Sequence, residues 1–491
     1  MKKQILLLAA AAMLGTAHGQ NFIHFHMKDG TSSTFNTTKI DSVRVANYSF
    51  TVFDGKERTM ISNTKLDSIS FSYLVPKETY FPQWAWNVEQ GNDYQNENSQ
   101  FCVQRMNEGI NLVAFWEKGF GDNPETCPDA TYRFPMKDVL AETEKMFDFY
   151  RDSLKFVEKG SSLTDKYRMV LYFYYNTEGT VYGGGSDNKV GAMWISPGRV
   201  KTKPYGAMAH ELGHAFQYMA GVDINNPNLF QGSFWEMTSQ FMLWQYYPTW
   251  ITFENYHLTD FLLRTHLAFM HQDNAYHSPF VLEYWADKHG KDFVGKLWRS
   301  YKNGDDPVIA YKRMTGIDQA TFNDEMFDAA RKFVTWDMDR VRNVSKSYAN
   351  KHSSAVEKQD DGWYQIAKER CPQNYGYNAI RLDVPEGGTE ITLDFKGVAG
   401  STGFSNVNVA QAGWRYGFLA MSNTGVRTYG DVYSDAEGQA KFTVPEGTSY
   451  LWLVVSGTPK THWVHNANRL EQWPYRFKLT GTTLHSSVTG R

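Results

Sequence analysis

The sequence predicts an α+β protein in which a mixed segment of strands and helices lies between two β-rich modules. Residues 20–75 contain two copies of a short alternating apolar pattern, which favours β-hairpins. Between 136 and 345 the apolar residues recur mostly at helical spacing. Beyond residue 362 the chain returns to short β-branched and aromatic runs separated by turn sequences, which is typical of a β-sandwich.

Length and composition set the broad limits. The 491 residues are enough for about three domains. A formal net charge of −3 predicts neither a nucleic-acid partner nor binding to an anionic membrane surface. The three cysteines, Cys102, Cys127 and Cys371, lack metal-site spacing and permit at most one disulfide, for which Cys102 and Cys127 are the plausible pair.

Residues 1–19 have the pattern of a secretory signal peptide. Two lysines, Lys2 and Lys3, precede an apolar run, and Ala17 to Gly19 supply the small residues of a cleavage site. No cysteine follows the apolar run, so a lipoprotein anchor is not expected. No later apolar run reaches the roughly 18 residues of a transmembrane helix. We therefore expect a secreted or periplasmic protein.

The N-terminal module, residues 20–75, carries an internal repeat. Asp29-Gly30 is followed by the segment 38–43, and Asp54-Gly55 is followed by the closely similar segment 64–69. Each copy has alternating apolar positions after a turn sequence. We predict two β-hairpin units that form one small β module.

The middle segment, residues 76–350, begins with mixed elements. Residues 136–158 have helical periodicity, whereas 168–175 are β-branched and aromatic and predict a buried strand. The glycines at 183–185 interrupt the pattern, and 191–196 predict a further strand. The glycine run is no phosphate-binding loop, because no Lys-Ser or Lys-Thr pair follows it.

The motif His210-Glu211-Leu212-Gly213-His214 carries the strongest chemical signal. Its flanks contain no proline and favour a helix, on which residues i and i+4 lie on one face. Two imidazoles in this arrangement can bind one Zn²⁺, and Glu211 can reach a metal-bound water as a general base. Gly213 leaves room for a crossing helix or a substrate.

A catalytic zinc site needs a third protein ligand. A histidine six residues after His214 would complete one known arrangement, but Ala220 stands there. Glu236, in a predicted helix over 232–244, can bring a carboxylate back to the metal. Alternatively, Ser233 and Glu236 fit a capping box, in which Glu236 would bond the Ser233 backbone instead.

These residues together resemble the gluzincin group of zinc metallopeptidases. The resemblance implies His210, His214 and Glu236 as zinc ligands and Glu211 as general base. Many gluzincins carry an aspartate four residues after the ligand glutamate, where this chain has Gln240. Gln240 could accept an N–H from a ligand histidine and fix its tautomer.

The resemblance covers roughly residues 165–290 and implies a zincin-like catalytic domain within 76–350. In such peptidases the edge strand before the active helix pairs with an extended substrate, and 191–196 is our candidate. An ordinary sheet edge explains the same residues equally well. The wider chain also resembles secreted multidomain proteins of the Bacteroidota.

Gluzincins stabilise the reaction oxyanion with a histidine or tyrosine from further along the chain. Tyr276 and His277, in a polar loop after the next predicted helix, are our candidates for this catalytic role. Three other histidines compete with them: His257, His266 and His271.

The tail, residues 362–491, follows a polar linker at 345–361. Five runs predict its strands: 380–384, 391–395, 441–444, 451–455 and 476–479. The predicted β-sandwich either binds glycans, with Trp463 or Trp473 stacking on sugars, or serves as a scaffold packed on the enzyme.

Two functions compete. The first is a secreted zinc metallopeptidase that hydrolyses peptide bonds of extracellular proteins or glycoproteins. The second is a glycan-binding or glycan-processing secreted protein whose zincin-like domain is degenerate or repurposed.

Overall fold

The computed structural model describes residues 22–490, apart from 30, 38–39, 47, 56, 73–76, 227–228 and 467–468. The predicted signal peptide, residues 1–19, lies outside the described residues. The α+β class predicted from the sequence is confirmed. The chain divides into two compact units, one ending at Glu78 and the other running from Thr79 to Arg491.

The described residues of the first unit form six short strands: β1 Phe22–Met27, β2 Ser32–Asn36, β3 Ser42–Ala46, β4 Ser49–Asp54, β5 Glu57–Ser62 and β6 Leu66–Ser72. They form two three-stranded antiparallel sheets, ordered β2-β1-β6 and β3-β4-β5. Alternate residues of both sheets, including Phe25, Phe50 and Ile61, share one apolar core.

A mixed five-stranded sheet opens the second unit: β7 Met106–Glu108, β8 Leu112–Trp116, β9 Met169–Phe173, β10 Val181–Ser186 and β11 Val190–Ile195. Its order is β10-β11-β9-β8-β7, with β8, β9 and β11 parallel and buried. Buried parallel strands read as continuous apolar runs, which is how β9 was recognisable in the sequence.

The prediction that residues 191–196 form an edge strand is wrong. The segment around 191–196 forms β11, an interior strand, and the glycine-rich β10 lies at the edge instead. A Cβ on Gly183 would lie 1.9 Å from the Glu211 carbonyl oxygen, and one on Gly185 would lie 2.0 Å from the Tyr218 ring. The glycines therefore let this edge strand lie directly on the helix that carries the histidine motif.

Ten helices follow or flank this sheet in the described residues: α1 Met136–Asp148, α2 Gly206–Asp223, α3 Ser233–Tyr246, α4 Trp250–Phe253, α5 Asn255–Leu263, α6 Phe280–His289, α7 Phe293–Arg299, α8 Pro307–Thr315, α9 Gln319–Thr335 and α10 Arg342–Ser345. The predicted helix over 136–158 is regular only to Asp148 and continues as a π-helical turn. No described helix has the length and apolar character needed to span a bilayer.

The C-terminal strands are β12 Val356–Lys358, β13 Tyr364–Ile366, β14 Tyr377–Leu382, β15 Glu390–Gly397, β16 Trp414–Ser422, β17 Arg427–Tyr429, β18 Glu437–Thr443, β19 Thr448–Gly457 and β20 Tyr475–Thr480. They build two antiparallel sheets, β12-β13-β20-β15-β18 and β14-β19-β16-β17. The sheets share an apolar core, in which Phe395 of one stacks on Tyr416 of the other at 3.9 Å, as in a β-sandwich.

The four-stranded sheet is buried on both faces. On β19, Leu451, Leu453 and Val455 point into the sandwich core, whereas Trp452 and Val454 pack against the helices. This alternation explains why β19 is apolar at every position from Leu451 to Val455 rather than at every second one. The predicted boundary between 350 and 362 thus lies within one compact unit with a continuous core.

Two side-chain expectations are wrong. Cys102 and Cys127 are buried free thiols, so the plausible disulfide is not formed. Trp473 is fully buried and donates its indole N–H to Asn374 at 2.7 Å, which leaves no face for a sugar. Trp463 is partly buried against Trp473.

Candidate metal centre

Helix α2 brings the two histidines of the motif onto one buried face. His210 and His214 are separated by one helical turn, and their Nε2 atoms lie 3.1 Å apart. Gly213 lies where α3 crosses, because a Cβ there would be 2.6 Å from the Ser239 hydroxyl. A helix without a side chain at this position can be approached closely, so α3 can carry a third group to the histidines.

Glu236 is that group. Its Oε2 lies 3.1 Å from Nε2 of both His210 and His214. The alternative capping box is not formed: Gly232 precedes the helix without a side-chain cap, and Ser233 donates its hydroxyl to the Met270 carbonyl. The first turn of α3 therefore directs Glu236 toward the histidines.

Two glutamines determine where the histidine protons lie. Gln240 donates its Nε2 to the Tyr276 carbonyl at 2.9 Å, so its Oε1 must accept from His210 Nδ1 at 2.9 Å. Gln217 likewise donates to a backbone carbonyl at 2.8 Å and accepts from His214 Nδ1 at 2.8 Å. Both neutral imidazoles therefore carry hydrogen on Nδ1 and present bare Nε2 lone pairs to each other.

This donor set fits a divalent metal ion. Two imidazole nitrogens and one carboxylate oxygen converge with no hydrogen between them, an arrangement that is repulsive unless a cation joins them. Ligand atoms at about 2.0 Å from a tetrahedral Zn²⁺ lie about 3.3 Å apart, close to the 3.1 Å observed here. His210, His214 and Glu236 could thus hold the metal and leave one position open.

The second carboxylate of the group is Glu211. One of its carboxylate oxygens and one ring nitrogen of each histidine lie within 4.8 Å of one another, so Glu211 also belongs to the group that could hold a metal ion. Burial, and to a smaller extent the charge of Glu236, raises the pKa of Glu211 to about 7. Glu236, by contrast, faces the histidine Nε2 atoms directly, at 3.1 Å from each. Glu236 is therefore suited to bind a cation and Glu211 to exchange a proton.

Of the two oxyanion candidates, only Tyr276 lies at the histidines. Its ring lies nearly parallel to that of His210, with 5.9 Å between centroids. Burial, together with the charge of Glu236, raises the pKa of Tyr276 to about 12, so its hydroxyl stays a donor at neutral pH. His277 lies one layer farther out, where its Nδ1 contacts His257 Nδ1 at 2.8 Å.

A cavity of about 240 Å³ opens beside His210, Glu211 and Tyr276. Sequence reasoning missed three of its lining residues, Arg199, Glu254 and Tyr256, none of which belongs to a motif. His257 also lines this cavity, whereas His266 and His271 do not.

A second cavity of about 250 Å³ lies on the other side of His214. Trp235 separates it from the histidines, since its ring stacks on His214 at 5.4 Å. Its polar lining consists of uncharged side chains: Asn188, Gln217, Tyr218, Asn225, Asn226, Gln231 and the Trp235 indole. The spacing from His214 to Gln217, three residues along one helix, could have identified Gln217 from sequence.

Residues 73–486 match the model of DUF6055, a family of unknown function, and the chain belongs to that family. No curated protein matches the sequence. The catalytic module of the metalloprotease ZmpA from Clostridium perfringens is similar at 11% identity over 89% of this chain and 90% of that chain, with a TM-score of 0.25. The C-terminal family 22 carbohydrate-binding module of Clostridium thermocellum Xyn10B is similar at 7% identity over 27% of this chain and 80% of that chain, with a TM-score of 0.17. TM-scores this low carry no argument about function.

Proposed function

We propose that this protein is a zinc-dependent peptidase that acts on proteins or glycoproteins outside the cytoplasm. One observation carries the proposal: Nε2 of His210, Nε2 of His214 and Oε2 of Glu236 lie 3.1 Å from one another. The glutamine contacts at both Nδ1 atoms place the histidine hydrogens there and leave the Nε2 atoms free to bind a cation. Only a cation makes that arrangement favourable, and two imidazoles with one carboxylate are ligands typical of catalytic Zn²⁺.

Bound Zn²⁺ would supply a Lewis acid that polarises a substrate carbonyl and lowers the pKa of a water in the open position. Glu211 accepts the proton of the attacking water and passes it to the leaving amine. The hydroxyl of Tyr276, which stays protonated at neutral pH, donates a hydrogen bond to the developing oxyanion. Glu211 and Tyr276 both line the cavity beside His210.

Strand β10 is the element we propose to bind the peptide backbone. It pairs with β11 on one side and forms the edge of the sheet on the other. Val181 lines the metal-side cavity, and Gly183 lies against Glu211. An extended substrate that adds to this edge is held by main-chain hydrogen bonds and passes beside the histidines.

A glycan-processing role is the second candidate, and exposed aromatic rings favour it. Trp86, which is 46% exposed, packs edge-on against Tyr182 of β10 at 5.0 Å, and Trp84 is more exposed still. Exposed aromatic faces beside a cleft suit the flat apolar faces of sugar rings or of substrate side chains. They replace the buried Trp473 as the candidate contact for a glycan.

Metal analysis combined with a substrate screen tests the proposal. We expect the full chain, freed of metal by a chelator, to take up one Zn²⁺ and to regain cleavage of an unfolded protein or of a glycoprotein. Release of new amino termini identifies a peptidase, whereas release of sugars alone identifies the second candidate. Failure to bind Zn²⁺ would exclude the proposed site.

A further inference from the structure

A chain of hydrogen bonds leads from His210 away from the metal centre to the surface. Gln240 accepts from His210 Nδ1 and contacts His257 Nε2 at 3.0 Å. His257 Nδ1 lies 2.8 Å from His277 Nδ1, and His277 Nε2 lies 3.6 Å from an oxygen of Asp260. Gln240 and His257 are buried, whereas Asp260 is partly exposed.

The contacts of Gln240 favour one order of the hydrogens along this series of hydrogen bonds. Gln240 has two N–H groups, and the Tyr276 carbonyl takes one of them, so the other points at His257 Nε2. His257 must then carry its hydrogen on Nδ1 and donate it to His277. The hydrogen of His277 is left on Nε2 and faces Asp260, so every donor in the chain points outward.

Glu254 is a competing acceptor for the hydrogen of His257. Its carboxylate lies 3.7 Å from His257 Nε2 and would attract a hydrogen placed there. Its nearer oxygen already accepts the indole N–H of Trp250 at 2.6 Å, and Gln240 is closer to His257. The ring of Trp250 also stacks on His257 at 5.4 Å and holds its plane. The outward order is therefore the favoured one.

We propose that His257 and His277 are positioning residues that lock Gln240, and through it both the ligand His210 and the backbone of Tyr276. This inference rests on the proposed zinc site. The acceptor oxygen and both N–H groups of Gln240 are engaged at once, and its amide joins the His210 ring to the backbone of Tyr276. If His257 no longer accepts the hydrogen bond from Gln240, the Gln240 amide can rotate. That rotation would loosen both the proposed ligand His210 and the candidate oxyanion donor Tyr276.

The hydrogen positions give a direct test that needs neither metal nor activity. In the full chain labelled with ¹⁵N-histidine, we expect two-bond ¹H–¹⁵N correlations to place hydrogen on Nδ1 of His257 and on Nε2 of His277. The signals are assigned by their loss in His257→Gln and His277→Asn. A hydrogen on His257 Nε2 would overturn the inference.

A pair of substitutions at His277 tests the functional consequence. Asparagine places an acceptor oxygen near the position of Nδ1 and can still accept from His257, whereas leucine cannot. We expect His277→Leu to weaken Zn²⁺ binding about tenfold in competition with a chelator, and His277→Asn to stay close to wild type. The turnover number should fall in His277→Leu with little change in KM.

His266→Leu is the matched control, since His266 takes no part in this series of hydrogen bonds and does not line the cavity beside His210. Equal Zn²⁺ affinity and turnover in wild type, His277→Leu and His277→Asn would overturn the inference, and equal losses in the two His277 variants would do the same. A wild-type protein that binds no Zn²⁺ would overturn the proposed function instead. The ¹⁵N experiment would still show which ring nitrogens of His257 and His277 carry hydrogen.

Discussion

Two carboxylates, Glu236 and Glu283, lie within the helical part of the molecule and have different partners. Glu283 is fully buried and is bound by Arg340, whose Nε and Nη2 lie 2.8 and 2.6 Å from its two oxygens. Glu236 faces two bare imidazole nitrogens, and no arginine or lysine bridges it among the residues that the structure describes.

The difference separates a structural ion pair from a ligand site. A buried carboxylate with its own guanidinium is complete when the chain has folded. A carboxylate whose nearest partners are lone pairs needs a cation from outside the chain. We therefore propose that the same residue type on neighbouring helices serves stability in one place and metal binding in the other, and substitutions at both places test that division.

The largest effect is expected at the structural pair. Arg340→Met leaves Glu283 buried without its cation and should lower the free energy of unfolding by about 3 kcal/mol, measured by chemical denaturation. Arg342→Met is the matched control, because that side chain is 41% exposed and its ion pairs are worth less than about 1 kcal/mol. Similar losses in both variants would remove the distinction between the two carboxylates.

At the metal centre, stability should depend on zinc. With free Zn²⁺ at about one hundred times Kd, the wild-type protein should gain about 2.7 kcal/mol in its free energy of unfolding. Glu236→Gln keeps the size of the side chain but removes its charge, so most of that gain should disappear. Arg340→Met should keep the gain. A variant Glu236→Gln stabilised as strongly as wild type would show that Glu236 is no ligand.

A third buried polar group, His352, should show a smaller effect, which comes from its burial. Burial lowers the pKa of His352 from 6.5 to about 3, so the unfolded chain binds a proton below pH 6.5 that the folded chain does not. Stability is therefore lost as the pH falls, by about 2 kcal/mol between pH 6.5 and 5.

The measurement compares the pH dependence of unfolding in the metal-free wild type and in His352→Phe. His257 and His266 titrate in the same direction, since burial lowers the pKa of His257 to about 3 and of His266 to about 4. Their contribution cancels in the difference between the two proteins. Parallel curves would mean that the pKa of His352 is the same in the folded and the unfolded chain, which contradicts the prediction.

Local spacing made much of the candidate site predictable from the sequence. His210 and His214 meet because one helical turn separates them, and Glu236 was identified because a turn-rich loop returns the chain as a second helix. The α+β class followed from apolar periodicity for the same reason: each helix and strand of the core repeats its pattern within a few residues.

Contacts between distant segments were not predictable. The glycines of β10 looked like a break because their partner, the α2 helix, lies more than twenty residues away along the chain. His277 and Tyr276 are adjacent in sequence, but only Tyr276 faces His210, since neighbouring side chains of a loop point in different directions. Nothing in the sequence pattern near Arg199 indicates that it lines the same cavity.

Substitution of Glu211 by glutamine tests the central claim most directly. Glu211→Gln should bind one Zn²⁺ with an affinity close to that of wild type, because the three ligands are unchanged. Its kcat/KM on a cleaved protein substrate should fall by about 10³-fold, since the carboxylate that accepts the proton is gone. A variant that binds Zn²⁺ and cleaves as fast as wild type would contradict the account.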